Sequence, residues 1–316
     1  MFNIIPQPVS ILTNAAKKGF TLHAGTTVSP FPFSEDFVKF VRKNFNKKIL
    51  VHEDTFEEKS IILTLDDKIE WDEGYTLKCE NRRVYINAKT ETGLFYGLET
   101  LKQMLLQTEG KLPYTEITDY PKFSYRGYKV TMGKKKLSAE EMKKTIQLMA
   151  FHKLNTLNCD LKSYYTQSEN DELVAYCQAR KINVVTKAPE NIENCAKQYC
   201  LNYPHGVNTL KSVCDYKTDS DKKGIEANIN VEFLKNFEQL QYYTYPRLAA
   251  MAETAWATDY GNFATFVHKA PTYYKLLDFY EVEYAPLKKA CPSALRKSAS
   301  RTSFKIKGIF NQNVNF

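Results

Sequence analysis

The residue types that could support acid–base chemistry include two adjacent carboxylates, Asp171 and Glu172. Such chemistry needs one carboxyl group with a raised pKa beside a charged partner, and both groups must face the same pocket. This pair comes directly before a helix pattern over residues 173–180. Because acidic side chains in a first helical turn complement the helix dipole, we interpret the pair as part of a helix start. No catalytic residue is predicted.

The other reactive residue types share no motif. The chain has five histidines and seven cysteines, and no two cysteines have C-x-x-C spacing. This pattern predicts neither a metal site nor a Ser-His arrangement, and it implies no cofactor. Scattered thiols favour a reducing compartment. The basic run Lys134–Lys136, which follows a strand-like segment, is interpreted as a solvated loop.

Several short strings along residues 1–285 carry a resemblance to a known family. They are Asn3–Pro8, Glu73–Leu77, Gly93–Leu101, Phe123–Gly127, Leu154–Leu161, Tyr199–Tyr203, Gly224–Glu232 and Tyr245–Trp256. The last string, Tyr-Pro-Arg-Leu-Ala-Ala-Met-Ala-Glu-Thr-Ala-Trp, is the most specific. Together the strings resemble glycoside hydrolase family 20, the β-N-acetylhexosaminidases.

The resemblance implies hydrolysis of terminal, non-reducing N-acetylhexosamine through substrate-assisted catalysis. Family members place an adjacent Asp-Glu pair in a His-x-Gly-Gly-Asp-Glu segment, where Glu protonates the leaving oxygen and Asp orients the acetamide. That segment does not occur in these 316 residues. Without its general acid, an enzyme of this kind loses a factor of roughly 10²–10⁴ in catalytic rate. The chain is therefore interpreted as an inactive or very weak homologue.

The resemblance also assigns the sugar-contacting positions. Arg126, in an F-x-x-R-G string, and Glu232, in a G-x-x-A-N-x-x-x-E string, match positions whose side chains bind sugar hydroxyls, so both are predicted to bind substrate. Asn230 stands where the family has an aromatic platform. Cys200 and Asn202 stand where the family has the acetamide-holding Tyr and a hydroxyl-binding Asp. The implied ligands are glycans that contain N-acetylhexosamine.

The predicted fold is α/β, an incomplete TIM-type (β/α) barrel preceded by a small α+β domain. Residues 1–118 alternate strand-like runs with turns before a helix with Leu94, Leu98, Leu101 and Leu105 on one face, capped by Thr92. Residues 119–122 are predicted to be a linker. Residues 119–285 form the barrel domain, and residues 286–316 a basic tail that is predicted to be disordered.

The barrel domain is predicted to be incomplete because its span is well short of the ~250 residues of a closed (β/α)8 barrel. Strands at residues 128–132, 154–161 and 182–185 alternate with helices, the first of which opens with a capping box at Ser138 and Glu141. Residues 189–198 are interpreted as irregular, and a strand resumes at residues 224–230. An internal deletion near residue 190 accounts for this pattern.

The distribution of charge and the hydropathy of the chain indicate which classes of partner to expect. The net charge is +8, but residues 286–316 hold seven Lys and Arg and no Asp or Glu, so the rest is nearly neutral. No nucleic acid is therefore expected, and no membrane span is visible. The family is usually secreted, periplasmic or lysosomal, whereas residues 1–8 show no signal-peptide pattern. The compartment is left open. Self-association through the incomplete barrel is a further expectation.

Other readings of the sequence stay open. One is a carbohydrate- or protein-binding pseudoenzyme that acts through its N-terminal domain or basic tail. A second is an active enzyme in which Asp160 or Glu190 replaces the missing acid. A third is a gene fragment without folded function.

Overall fold

The computed structural model describes residues 2–53, 59–190, 192–194, 209–218, 222–259 and 261–291. These residues form an N-terminal α+β domain and a second domain built on a parallel sheet. The α/β class and the partial barrel predicted from the sequence are confirmed.

The N-terminal domain is built on a seven-stranded mixed sheet with the strand order β1-β9-β6-β7-β5-β3-β4. Its strands are β1 Ser10–Asn14, β3 Thr27–Val28, β4 Leu50–Val51, β5 Ser60–Leu65, β6 Tyr75–Glu80, β7 Arg83–Ala88 and β9 Tyr114–Asp119. A small ladder joins β2 Phe20–Thr21 to β8 Lys111–Leu112. The predicted hairpin is the antiparallel pair of β6 and β7.

Two helices complete this domain: α1 Ser34–Phe45 and α2 Glu91–Gln107. α2 packs on β6 and β7, and the four leucines predicted to share its inner face are all buried. The helix begins two residues earlier than a cap at Thr92 would place it. Thr90 is the N-cap, and its side chain accepts hydrogen bonds from the backbone N–H groups of Thr92 and Gly93.

The second domain contains a five-stranded, all-parallel sheet with the strand order β12-β11-β10-β14-β13. Its strands are β10 Tyr125–Thr131, β11 Thr156–Asn158, β12 Asn183–Val185, β13 Ile192–Asn194 and β14 Gly224–Asn230. The expectation that residues 189–198 are irregular was wrong for residues 192–194, which pair with β14. A strand of three residues is too short to show a period in sequence.

Helices follow or flank these strands. They are α3 Ala139–Phe151, α4 Gln167–Ala179, α5 Leu210–Cys214, α6 Phe237–Thr244, α7 Arg247–Trp256, α8 Phe263–Phe279 and α9 Leu287–Ala290. The capping box predicted at Ser138 and Glu141 is present, and a second one joins Thr166 to Glu169. The helices α3, α4, α5 and α6 each come after a strand of the parallel sheet, as in the β/α units of a barrel, whereas α7, α8 and α9 follow α6 without an intervening strand.

The sheet is open. Its first strand in the chain, β10, lies directly beside β14, as the first and last strands of a closed barrel do. In the described part of the chain, β12 has β11 as its one neighbour and β13 has β14. The two outer strands are thus the places where further β/α units would join.

Two boundary predictions are modified by the structure. Asp119, placed in a linker by the sequence, is the last residue of β9 and fully buried. The start of the predicted tail is helical, with Ala290 of α9 buried, whereas residues 292–316 lie outside the described part of the chain. No helix in that part is long and apolar enough to span a membrane.

Candidate functional site

The two faces of the parallel sheet can be told apart by two tyrosines of β10. The hydroxyl of Tyr128 lies 3.0 Å from Thr244 Oγ1 in α6, so this side chain points outward to the helices. The hydroxyl of Tyr125 donates a 2.6 Å hydrogen bond to Glu226 Oε2 on the neighbouring strand β14, so this side chain points to the inner face. Side chains alternate along a strand, so the odd-numbered residues of β10 face inward.

The inner face is polar. In register across three strands stand Asn158 of β11, Lys129 of β10 and Asn228 of β14. One row deeper, Glu226 occupies the same position on β14 beside Gly127. A closed barrel usually fills this interior with bulky branched apolar residues, and here amides, an ammonium group and a carboxylate occupy it.

Glu226 is the most enclosed polar group of this face, with 1% of its surface exposed. Its Oε2 accepts hydrogen bonds from the Tyr125 hydroxyl and from Asn158 Nδ2 at 2.9 Å. Burial, with the Glu226 carboxylate as a second cause, raises the pKa of Tyr125 well above its usual value. Tyr125 therefore stays protonated and serves as a hydrogen-bond donor.

The carboxyl edge of the sheet carries Glu232, one of the two residues predicted to bind sugar. Its Oε2 accepts a 3.3 Å hydrogen bond from the backbone N–H of Lys135. A Cβ on Gly133 would lie 2.4 Å from that oxygen, so the loop after β10 approaches the carboxylate closely only because residue 133 is glycine. Asn230 accepts from the Glu232 backbone N–H at 3.0 Å. Glu232 is half-buried at the edge where barrel chemistry is usually found.

Arg126, the other predicted sugar contact, occupies a different place. It lies near the amino end of β10, is fully buried, and forms an ion pair with Glu73 of the N-terminal domain. Its five N–H groups have five acceptors: two Glu73 oxygens at 2.7 and 3.0 Å, the carbonyls of Lys153 and Phe123, and the Tyr96 hydroxyl. No donor is left for a sugar. The prediction for Arg126 is corrected: the residue joins the two domains.

A second buried ion pair lies next to the first. Lys153 Nζ is 2.6 Å from Asp119 Oδ2, and both side chains are fully buried. The Asp119 carboxylate also accepts hydrogen bonds from the Tyr75 hydroxyl and from the Trp256 indole N–H. Burial lowers the pKa of Lys153, although Asp119 opposes that effect.

Trp256, the last residue of the Tyr245–Trp256 string, lies between the two cations. The Arg126 guanidinium carbon is 4.9 Å and the Lys153 ammonium 4.4 Å from its ring. Glu253, three residues earlier, pairs with Lys269 at 2.7 Å and accepts from the backbone N–H of Gln7. This string therefore contributes contacts that hold the two domains together.

The two Asp-Glu pairs of the sequence both lie away from that edge. Asp171 and Glu172 belong to α4, where Asp171 accepts from Gln167 and Glu172 pairs with Lys143. In the pair Asp72 and Glu73, Asp72 binds Lys89 and Glu73 binds Arg126. The pair is helical, but the interpretation of it as a helix start was wrong: α4 begins at Gln167, so Asp171 and Glu172 lie in its second turn and Glu169 is the acidic residue of the first.

The remaining candidates are the two possible replacement acids, Asp160 and Glu190, and the two residues at acetamide- and hydroxyl-binding positions, Cys200 and Asn202. Asp160 is exposed just after β11, and its Oδ2 accepts a 2.5 Å hydrogen bond from Ser163. Glu190 is exposed too, whereas Cys200 and Asn202 lie outside the described residues. Within the described ranges, no group of three His, Cys, Asp or Glu side chains could hold a metal ion.

Sequence reasoning missed the polar row Asn158–Lys129–Asn228 and the partner of Arg126. Both depend on contacts between distant segments: Glu73 is 53 residues from Arg126, and the row depends on the strand register. A period-two pattern was present in β14, where Glu226, Asn228 and Asn230 alternate with apolar residues. That pattern could have indicated a polar inner face.

Comparison with protein families identifies both domains. Residues 1–120 match the model of glycosyl hydrolase family 20, domain 2, and residues 187–259 match the model of the family 20 catalytic domain. Together the two matches cover more than half of the chain.

The curated relatives that match the chain are β-hexosaminidases as well. The chain is 39% identical over 99 residues to a β-hexosaminidase of Porphyromonas gingivalis, a match that spans 28% of this chain and 13% of that protein. It is 30% identical over 232 residues to β-hexosaminidase subunit A2 of Dictyostelium discoideum, which spans 64% of this chain and 41% of that protein. The chain thus spans less than half the length of these relatives.

Solved structures resemble the fold. The family 20 β-N-acetylhexosaminidase of Streptomyces coelicolor superposes with a TM-score of 0.76 at 15% identity, covering 92% of this chain and 98% of that one. The exo-β-N-acetylglucosaminidase of Vibrio harveyi gives 0.74 at 14% identity, covering 91% and 79%. The domain matches, the relatives and the shared fold lead to one conclusion: the chain belongs to glycoside hydrolase family 20.

Proposed function

We propose that this chain is an inactive or very weak homologue of the β-N-acetylhexosaminidases that keeps a binding site for N-acetylhexosamine glycans at the carboxyl edge of its parallel sheet. One observation carries the proposal. The sequence has two adjacent Asp-Glu pairs, and neither lies where it could act as the catalytic pair. Asp171–Glu172 belongs to α4, where Glu172 pairs with Lys143, and Asp72–Glu73 lies at the domain junction, where Glu73 pairs with Arg126.

The described carboxyl edge offers no ready substitute for the missing acid. Asp160 is exposed just after β11, and its Oδ2 already accepts a hydrogen bond from the Ser163 hydroxyl. Glu226 is enclosed but already accepts two hydrogen bonds on one oxygen. Glu232 has the position and exposure of a binding group, and a carboxylate at such a position accepts hydrogen bonds from sugar hydroxyls.

Incubation of the purified chain with chitohexaose tests both parts of the proposal. Calorimetry should detect binding that weakens several-fold in Glu232→Gln, because the amide keeps the shape but loses the charge-assisted acceptor. Chromatography of the same mixture should detect no released N-acetylglucosamine. Release of N-acetylglucosamine above a buffer control would contradict the lack of activity. Binding that Glu232→Gln leaves unchanged would contradict the binding site at Glu232.

Self-association is a separate proposal that rests on the open edge of the sheet. β12 has one neighbouring strand in the described part of the chain, so its other side offers unpaired backbone groups to a second copy. Light scattering after gel filtration should give the mass of a dimer or larger. A monomer mass at high concentration would rule this proposal out.

A further inference from the structure

The row Asn158–Lys129–Asn228 has no role in the proposed function as stated. The three residues stand side by side on adjacent parallel strands, so their side chains project from the same face at strand spacings of about 4.8 Å. Lys129 and Asn228 are half-buried and Asn158 is buried. A barrel interior with this composition is built for a polar ligand or for water.

The donors of this row exceed its acceptors. Among the described residues, Lys129 Nζ has no carboxylate at ion-pair distance and no hydrogen-bond acceptor. Asn228 Oδ1 accepts from the Thr131 hydroxyl at 3.5 Å, and its amide N–H₂ group has no acceptor in the part of the chain that the structure describes. Asn158 uses one amide hydrogen for Glu226. The row therefore presents an ammonium group flanked by amide donors.

The acidic groups nearby are already engaged. Glu226 lies one row deeper, about 6–7 Å along the strand, and accepts from Tyr125 and Asn158. At the carboxyl edge, Glu232 accepts from the Lys135 backbone and Asp160 from Ser163. The loop Gly133–Leu137 adds three lysines and no acidic residue. Each of these carboxylates thus has donors within the protein, whereas Lys129 has no acceptor among the described residues, so the Lys129 ammonium group is the charge on this face that can pair with a ligand.

We infer that the inner face binds a glycan that carries a carboxylate beside its N-acetylhexosamine, with Lys129 as the counter-ion and Asn228 as a second donor. The inference rests on the proposed function, because it names the class of glycan for the same site. A half-buried ammonium group is a strong partner for a carboxylate, since the interaction is screened less than at an open surface.

A matched pair of ligands tests this inference. Hyaluronan hexasaccharide alternates N-acetylglucosamine with glucuronic acid, whereas chitohexaose has the same length and no charge. We expect the hyaluronan oligosaccharide to bind more tightly in calorimetry at low salt. Raising the ionic strength should weaken that binding and leave chitohexaose binding unchanged.

Substitutions distinguish a specific role of Lys129 from an effect of the overall charge of the protein. Lys129→Met should weaken hyaluronan binding about tenfold or more, since a hydrogen bond to a charged group is lost, and Lys129→Arg should retain most of it. Lys223→Met removes the same charge just before the amino end of β14 and should have little effect. Thermal unfolding of each variant verifies that it is folded.

The outcomes are distinct. Equal affinity for the two oligosaccharides, or full hyaluronan affinity in Lys129→Met, would overturn the inference and leave the proposed function standing. Failure of both oligosaccharides to bind would overturn the inference and the binding part of the proposed function together.

Discussion

The buried ion pair between Arg126 and Glu73 should be a main source of the stability of the two-domain unit. Arg126 is fully buried and Glu73 is 22% exposed. Arg126→Met keeps most of the side-chain volume, but it removes the cation that pairs with Glu73 and leaves Asn155 Nδ2 as a remaining donor to that carboxylate. It also removes the donors to the carbonyls of Lys153 and Phe123. Removing one partner of a buried pair costs about 3–5 kcal/mol. We expect the free energy of unfolding to fall by that amount.

Urea unfolding followed by circular dichroism measures this loss, and a double-mutant cycle with Glu73→Gln isolates the pair. The coupling energy should be about 1–3 kcal/mol. Lys43→Met is the matched control, because Lys43 and Glu281 form an exposed pair, with side chains 64% and 74% exposed, for which a loss below about 1 kcal/mol is expected. A loss in Arg126→Met no larger than in this control would refute the structural role of Arg126.

Two further predictions concern local features. Ser138→Ala should lower the free energy of unfolding by about 1 kcal/mol, because it removes the capping box of α3; urea unfolding measures the change, and an unchanged midpoint would contradict the cap. Burial lowers the pKa of His152 from 6.5 to about 4. Since the unfolded chain then binds the extra proton first, stability should fall as the pH drops from about 6.5 to about 4, by about 1.4 kcal/mol for each unit. His152→Gln should reduce the slope of unfolding free energy against pH by about 1.4 kcal/mol for each unit in this range. Identical pH profiles for the two proteins would exclude His152 as a cause.

Local features were the ones that could be predicted from the sequence. The cap at Ser138, the hairpin of β6 and β7, and the leucine face of α2 each depend on residues a few positions apart. Helix α1 was not predicted, although Phe37, Val38 and Val41 have helical spacing and are buried. Its signal was present and was overlooked.

The candidate site was predicted only in part, for a physical reason. A motif locates a residue in the chain, but the function of a side chain depends on its partners in space. Arg126 was assigned to sugar binding from its string, and the structure gives all its donors to groups between residues 73 and 153. Glu232, whose string follows the end of a strand, lies at the carboxyl edge of the sheet, and its binding of a sugar stays a prediction.

The most direct test of the central claim is hydrolysis of p-nitrophenyl N-acetyl-β-D-glucosaminide by the purified full chain, at high protein concentration and over hours. We expect release of p-nitrophenol at the rate of the buffer blank, from a protein that unfolds cooperatively. Turnover above the blank that disappears in Glu226→Gln or Asp160→Asn would contradict it, because a carboxyl group at the sheet would then be serving as the missing acid.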